Sequence, residues 1–292
     1  MVFDDLNTED FELVLNVIWH AYVVNKALGV PNEATFRAYR DVKKALVGAV
    51  RAKHTSFDTS RGYLRPIATF MKCFQTVLSL NYDLIVYWAM MESNTTYFPN
   101  WFKDCFVNGV FDRNWRRMRQ PYRAAAGSTL VFYPHGNLVL TTSLDGFESK
   151  VIRDTASLLD CILKNWQSGD NLPLFVSEGK TDQKERAISR SGYLHTVYNE
   201  VMLPDSLGDT CAVYGWSAND NDAHILDRIC RATRCIAFSV FRGDRSQAEI
   251  EAECDLIKAK VLHINPQIKT QFYWSDSADC WLNTWQFDSQ SA

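Results

Sequence analysis

The chain has 292 residues, of which 47% are hydrophobic and 22% are charged, and its formal net charge is −3 at pH 7. A chain of this length and composition can bury a large core, and its weak negative charge gives no long-range attraction for a polyanion. Nucleic acid is therefore excluded as an expected partner. The basic run "RNWRRMR" at 113–119 is interpreted as a solvated face, with contact to a phosphate group as the alternative.

The cysteines and the apolar segments favour a cytoplasmic protein that does not bind a membrane. The eight cysteines include no CxxC pair, and most lie in apolar surroundings, which is typical of reduced core residues. The apolar segment "VLNVIWHAYVV" at 14–24 is too short to cross a bilayer.

The first part of the chain predicts helices. Residues 8–28 begin with a Thr-Glu-Asp sequence that resembles a capping box, and residues 31–54 follow Pro31 with apolar residues at helical spacing. A third helix is expected near 61–74. These segments make residues 1–73 a helical N-terminal part.

From Phe74 onward, short apolar segments alternate with segments of helical length. The predicted strands are "FQTVLSLNY" (74–82), "STLVFYPHG" (128–136), "LPLFVSEG" (172–179), "TCAVYGWS" (210–217) and "CIAFSVFRG" (235–243). The predicted helices are 154–169, 181–203, 220–232 and 246–264. This alternation predicts an α/β fold with a Rossmann-like, mainly parallel sheet, helices on both faces and the N-terminal helical segment.

The absence of a Pro-, Gly- or Ser-rich linker predicts a single domain over residues 1–292. Within it, residues 74–275 form the sheet-containing core and residues 276–292 form a C-terminal tail. Residues 95–127 are an expected excursion from the core.

Polar side chains follow several of the predicted strands. Because the carboxyl ends of parallel strands meet at one edge of a sheet, these side chains are expected to line a common crevice. A lone histidine after a strand is often structural, and Asn81 with Asp83 could simply cap the next helix. Together, however, the strand-end residues favour a ligand site: Asn81, Asp83, His135, Asn137, Glu178, Gly215 and Ser217.

Three of these segments resemble signatures of the sirtuin-like superfamily, and they occur in the same order. "LNYD" at 80–83, "HGN" at 135–137 and "YGWSANDNDAHI" at 214–225 are similar to its Asn-x-Asp, His-Gly and Gly-x-Ser motifs. The longer pattern resembles an uncharacterised bacterial branch of that superfamily, a domain of unknown function. That pattern includes "FVNGVF" (106–111), "SEGKTDQKERAISRSGYL" (177–194) and "IAFSV" (236–240), and the resemblance spans residues 70–245.

The resemblance implies an NAD glycohydrolase, for which NAD is the substrate and the nicotinamide–ribose bond is cleaved. It implies two catalytic residues: His135 as a general base on the ribose hydroxyls, and Asn81 beside the nicotinamide ribose, where it positions a water. Nicotinamide leaves as a neutral ring, so this chemistry needs a base and positioning but no strong acid. The implied NAD-binding residues are Asp83, Asn137, Glu178, Gly215, Ser217 and Asp222.

One family feature is missing from the sequence. A Gly-x-Gly-x-Ser-type phosphate loop should precede the opening helices, but the first glycine is Gly29, which is interpreted as a helix C-cap. The expectation is a chain that lacks its first strand and loop, with weak or no activity as it stands. The alternative is a non-catalytic module that senses a nucleotide or ADP-ribose, or an interaction module. A homo-oligomer or a partner protein is left open.

Other interpretations of these motifs are less favoured. "YGWSAN" resembles a nucleophile elbow around Ser217, but Asn219 stands where that motif needs glycine. The acidic run at 219–227 lacks the glycine and closing glutamate of a calcium loop, so no metal is expected. Helix N-capping by Asp220 and Asp222 is the simpler explanation of that run. For Lys184, an ion pair and a substrate contact are both left open.

Overall fold

The computed structural model describes residues 2–8, 11–143, 146–152, 157–168, 171–175 and 181–283. The N-terminal part is helical, as predicted. Its four helices are α1 (Val2–Asp5), α2 (Phe11–Ala27), α3 (Glu33–Lys53) and α4 (Phe57–Met71). Helix α4 begins before the predicted position because the Ser56 side chain accepts a hydrogen bond from the Thr59 N–H and caps it.

Gly29 ends helix α2, which confirms its interpretation as a C-cap. Its φ is +68°, in the left-handed region that glycine adopts without a steric penalty. The Val30 N–H then donates to the Asn25 carbonyl at 2.8 Å, which satisfies one of the last carbonyls of the helix.

Two parallel sheets follow. The strands of the first are β1 (Thr76–Leu78), β2 (Phe102–Lys103) and β5 (Thr129–Phe132), in the order β1–β5–β2. Those of the second are β9 (Thr210–Val213), β10 (Cys235–Val240) and β11 (Lys269–Trp274), in the order β9–β10–β11. The four predicted strands in these sheets are present but shorter, and β11 lies in a segment where the sequence predicted no strand.

The remaining strands are antiparallel. They are β3 (Phe106–Val107) and β4 (Val110–Phe111), which form a hairpin in the expected excursion, and β6 (Gly136–Ser143), β7 (Glu148–Lys150) and β8 (Asn171–Phe175), which form a third sheet. Strand β8 confirms the first part of the strand predicted at 172–179, whose residues 176–179 lie outside the described residues, but it pairs antiparallel with β6. An apolar run indicates a buried strand but not whether it runs parallel or antiparallel to its neighbour in the sheet. Here the neighbour is β6, and the pairing is antiparallel.

The other helices lie around these sheets. They are α5 (Ile85–Thr96), α6 (Leu158–Ser168), α7 (Thr181–Arg190), α8 (Gly192–Thr196), α9 (Pro204–Leu207), α10 (Ala223–Ala232) and α11 (Gln247–Ile264). The segment predicted as one helix over 181–203 is interrupted at Ser191, whose side chain accepts from the Leu194 N–H and starts α8. A π-helical turn, Val197–Val201, follows α8.

The buried side chains form two hydrophobic clusters. The larger one joins the N-terminal helices and α5 to β5 and β6, and the smaller one surrounds β9 and β10. Leu78 and Tyr198 pack against both clusters and so connect them. The fold is thus of the mixed α/β class, with helices around largely parallel sheets, as the sequence predicted.

The cysteines and the apolar helices can be compared with what the composition predicted. All eight cysteines lie among them, and each is free of a disulfide. Within the ranges given above, no helix is both long enough and apolar enough to cross a membrane.

The basic run forms a short 3₁₀ helix, Trp115–Arg119, and its arginines contact the protein itself. Arg116 pairs with Glu200 at 2.8 Å, and Arg117 pairs with Asp112. Arg119 donates to the Ser206 carbonyl at 2.7 Å. The side chains of Arg116 and Arg117 are more than half exposed, as predicted for a solvated face, and the contacts of Arg116 and Arg119 also hold the excursion against the core.

Candidate functional site

The candidate site lies at the edge where β1 and β5 end. The two strands are parallel neighbours, so their carboxyl ends open on the same side. The segment 81–83 follows β1, and His135 occupies the turn between β5 and β6. The expected convergence of these two segments is present in the structure.

Asn137 holds the two segments together. Its side chain is fully buried, and its Nδ2 donates to the Asp83 carbonyl at 2.5 Å and to the Asn81 carbonyl at 3.4 Å. Its Oδ1 accepts from the Val139 N–H at 3.1 Å. Both ends of this amide are therefore bonded to backbone, and Asn137 shapes the edge from inside the protein.

Asp83 and Asn81 occupy different positions at this edge. Asp83 Oδ1 accepts from the Ile85 N–H at 2.9 Å and so helps to start α5. The adjacent Leu84 N–H donates to His54 Nε2 at 2.9 Å. Asn81 is exposed, so its side chain faces outward from the edge.

His135 meets a second histidine, His224, from the start of α10. Their Nε2 atoms are 3.1 Å apart, and the residues are 2% and 3% exposed. The ring centroids are 5.2 Å apart and the ring planes differ by 29°. This centroid distance is about the Nε2–Nε2 separation plus the two ring radii, so the rings meet end to end and form a hydrogen bond.

An ion pair lies beside the two histidines. Lys184, 4% exposed, donates from Nζ to Asp222 Oδ1 at 2.7 Å. The same oxygen is 3.9 Å from His135 Nε2. Trp216 Nε1 donates to Asp222 Oδ2 at 3.3 Å. Of the two interpretations of Lys184, the ion pair is the one that the structure bears out.

The prediction that Asp222 caps a helix is confirmed only in position. Asp222 is the N-cap residue of α10, but its side chain makes no capping hydrogen bond. A buried ammonium competes for the same carboxylate, and a charged partner binds it more strongly than a backbone N–H does. Asp220 pairs with Lys260 at 2.6 Å.

The loop after β9 carries Gly215 and Ser217 on either side of Trp216, the residue that contacts Asp222. Gly215 has φ +66°, and its N–H donates to Ser239 Oγ at 2.9 Å. Ser217 is exposed and follows Trp216, the residue whose indole binds Asp222. Glu178, also predicted as a binding residue, lies outside the described residues.

Sequence reasoning missed the role of His224 in this cluster. In the sequence, His224 is one member of the acidic run at 219–227, whose pattern does not match a calcium loop. Across the parts of the chain described above, no group of three or more His, Cys, Asp or Glu side chains has an arrangement suited to a metal ion. No local pattern reveals that His224 faces a residue 89 positions away.

The electrostatics of the cluster follow from burial. Burial lowers the pKa of His135 well below its ordinary value, although Asp222 opposes this shift. Burial also lowers the pKa of His224, to about 4. For Asp222, burial would raise the pKa, but the hydrogen bond from Lys184 and the proximity of His135 hold it below its usual range. Both histidines are therefore neutral at pH 7.

Acidification is expected to destabilise the fold through these histidines. Their pKa values are lower in the folded protein than the ordinary 6.5. Below that pH the two histidines bind protons in the unfolded chain but stay neutral in the folded chain. Their contribution to stability is thus complete above pH 6.5 and is lost as the pH falls toward the folded pKa values. Between about pH 7.5 and about pH 5.5 we expect a loss of about 3 kcal/mol in unfolding free energy, shared by the two histidines.

Urea unfolding across this pH range measures the effect. The variant His224→Asn should show a smaller loss on acidification, whereas His263→Ala, which changes an exposed histidine of α11, should behave like the wild type. An equal loss in all three proteins would contradict the assignment of the pH effect to this cluster.

Comparison with known proteins places the chain in a family without assigning a reaction. No curated protein matches it. A family model covers residues 1–281, which includes both hydrophobic clusters and every described residue of the candidate site. The chain therefore belongs to the family described as a domain of unknown function (DUF4917).

Proposed function

We propose that this protein binds NAD at the edge formed by residues 81–83, 135–137 and 215–222 and cleaves its nicotinamide–ribose bond slowly. The observation that carries the proposal is the buried pair of neutral histidines at a sheet edge where Asn81 is exposed. The order of the three sirtuin-like motifs along the chain gives further support. Ligands of open α/β sheets bind outside the carboxyl ends of the strands, which is where this cluster lies.

The residues suit the proposed reaction. Cleavage of the nicotinamide–ribose bond leaves positive charge on the ribose, while nicotinamide departs as a neutral ring. A neutral imidazole at His135 can accept the proton of a ribose hydroxyl and so help to stabilise that charge. The exposed amide of Asn81 can hold the attacking water by hydrogen bonds. Gly215 and Ser217 would lie against the remainder of the dinucleotide.

The proposed activity is weak because a phosphate cradle is absent from the described part of the chain. Dinucleotide phosphates are usually held by a glycine-rich turn at a helix N-terminus. Here Gly29 caps the C-terminus of α2, and Gly48 lies inside α3. Without that turn, the dissociation constant for NAD should be high, whereas the proposed chemical step does not depend on it.

A second candidate is a non-catalytic module that binds a nucleotide or ADP-ribose. The burial of His135, which is only 2% exposed, favours it. A ligand can reach this ring only if neighbouring residues move, and the strongly lowered pKa makes His135 a weak base. Such a site could respond to a ligand without cleaving it.

Nicotinamide release from NAD, followed by chromatography, tests the proposed function. The wild type should release nicotinamide slowly, and His135→Ala should lower the rate by about 10²-fold or more, the usual effect of losing a general base. Asn81→Ala should also be slower, while His195→Ala, at an exposed position on α8, should match the wild type.

Each other outcome has a defined meaning. If NAD binds, as measured by calorimetry, but no nicotinamide appears, the non-catalytic module replaces the hydrolase. If hydrolysis is unchanged in His135→Ala and Asn81→Ala, the catalytic assignment fails. If neither NAD nor ADP-ribose binds at millimolar concentration, both candidates fail.

A further inference from the structure

The end-to-end contact of His135 and His224 restricts where their protons lie. A neutral imidazole has one N–H and one bare nitrogen. For the two Nε2 atoms to form their 3.1 Å hydrogen bond, one must carry a proton and the other must be bare. The outer Nδ1 atoms must then differ in the same way, one as a donor and one as an acceptor. The pair therefore acts as a unit with two alternative states.

A metal ion does not explain this contact. A structural zinc site takes four ligands, usually Cys, His or carboxylate side chains. Around these two rings, the described residues hold no group of three or more such side chains arranged for a metal ion. The 3.1 Å between the Nε2 atoms is the length of a hydrogen bond, which needs one proton between them.

Asp222 distinguishes the two states. Its Oδ1 lies 3.9 Å from Nε2 of His135, so its negative charge favours an N–H at that nitrogen. Lys184 opposes this effect, but the carboxylate acts on His135 more strongly than the ammonium does. With the His135 proton on Nε2, His224 must carry its proton on Nδ1. This state costs free energy, because that buried N–H has no acceptor among the described residues.

We propose that Asp222 and His224 are positioning residues that fix His135 with its proton on Nε2 and a bare Nδ1. His224 accepts the hydrogen bond and carries its own proton on Nδ1. Asp222, held in place by Lys184 and Trp216, stabilises this arrangement. A bound ligand or water oxygen would satisfy the Nδ1–H of His224.

This arrangement, which rests on the proposed function, gives the reaction a path for its proton. The bare Nδ1 of His135 takes the proton of a ribose hydroxyl, and the electron pair of the broken O–H bond stays on oxygen. The Nε2–H bond of His135 then breaks as an Nε2–H bond forms on His224. The net positive charge moves from His135 to His224, and the proton returns by the reverse path after product leaves.

Nitrogen NMR of the ligand-free wild type tests the positions of the protons directly. Two-bond ¹H–¹⁵N correlations distinguish the protonated nitrogen of a neutral imidazole from the bare one. The chain has six histidines, so single His→Gln variants can assign the signals. At neutral pH we expect His135 protonated on Nε2 and His224 protonated on Nδ1. The opposite pattern, or a mixture at both rings, would overturn the proposal.

Variants separate positioning from a general structural role. Asp222→Asn should shift His135 toward the Nδ1-protonated state, whereas Asp220→Asn should leave its spectrum unchanged. His224→Gln offers a carbonyl oxygen to His135 Nε2 and should keep its proton there, whereas His224→Phe offers no acceptor and should not. If His135 keeps the same protonation pattern in both Asp222→Asn and His224→Phe, these residues do not position it.

The kinetic consequence is expected in kcat. His224→Phe should lower kcat for nicotinamide release at least tenfold with little change in KM, and His224→Gln should recover part of the loss. Equal kcat in the wild type and His224→Phe would contradict the proton path. The NMR measurement needs no activity: a confirmed protonation pattern without nicotinamide release would refute the hydrolase alone, and active protein with the opposite pattern would refute this inference alone.

Discussion

Replacement of Asp222 by alanine is expected to lower the unfolding free energy by about 3–5 kcal/mol, the usual cost of removing one partner from a buried ion pair. Lys184 is 4% exposed, so its ammonium would be left in the interior without the carboxylate that it binds at 2.7 Å. Trp216 would lose its acceptor as well. Urea unfolding at neutral pH, with the slope compared between variants, measures the change.

Two control variants make this result specific. Asp220→Ala breaks a pair whose carboxylate is 90% exposed, and it should cost no more than about 1 kcal/mol. The double variant Lys184→Met, Asp222→Leu removes both charges and should recover much of the loss. If Asp222→Ala were no more destabilising than Asp220→Ala, the ion pair would not be a buried structural element.

Replacement of Asn137 by alanine is expected to cost about 3 kcal/mol, since each buried group left without its hydrogen-bond partner costs about 1–3 kcal/mol. The amide is fully buried and bonds the carbonyls of Asn81 and Asp83 and the N–H of Val139. Its loss would weaken the connection between the segment 81–83 and the turn that holds His135, leaving the backbone hydrogen bond from the Leu138 N–H to the Tyr82 carbonyl. We therefore expect weaker NAD binding in addition to lower stability.

Asn94→Ala is the matched control for this prediction. Asn94 also bonds backbone through both ends of its amide, to the carbonyl and the N–H of Phe102, but it lies on α5 away from the histidines. It should lose stability while the affinity for NAD stays the same. Calorimetric titration of both variants decides the matter: equal affinity in Asn137→Ala and Asn94→Ala would show that the segment 81–83 does not contribute to binding.

The sequence predicted the features that depend on local pattern. Strand-length apolar runs and the rule that ligands bind at the carboxyl ends of parallel strands are enough to place the segment 81–83 and His135 at one edge. The role of Gly29 as a helix C-cap followed from its place at the end of a helical pattern, and its positive φ agrees with that role. The helical N-terminal part and the α/β class depended on the same local signals.

Features that depend on distant partners could not be predicted. The sequence pattern of Asp222 is that of a helix cap. Its carboxylate instead accepts a hydrogen bond from the buried Lys184, 38 positions away, and makes no capping hydrogen bond. His224 was unremarkable until the fold placed it against His135. The antiparallel pairing of β8 with β6 and the edge strand β11 likewise depend on tertiary packing, which can override local propensity.

The most direct test of the account follows the ring nitrogens of His135 and His224 by NMR while ADP-ribose is added to the wild-type protein. ADP-ribose contains the ribose, the phosphates and the adenosine of NAD but has no bond to nicotinamide, so it reports binding without turnover. We predict that both signals shift and reach saturation with one dissociation constant, while the exposed His195 and His263 stay unchanged. Binding of ADP-ribose that leaves His135 and His224 unperturbed, or no binding at all, would contradict a nucleotide site at this edge of the sheet.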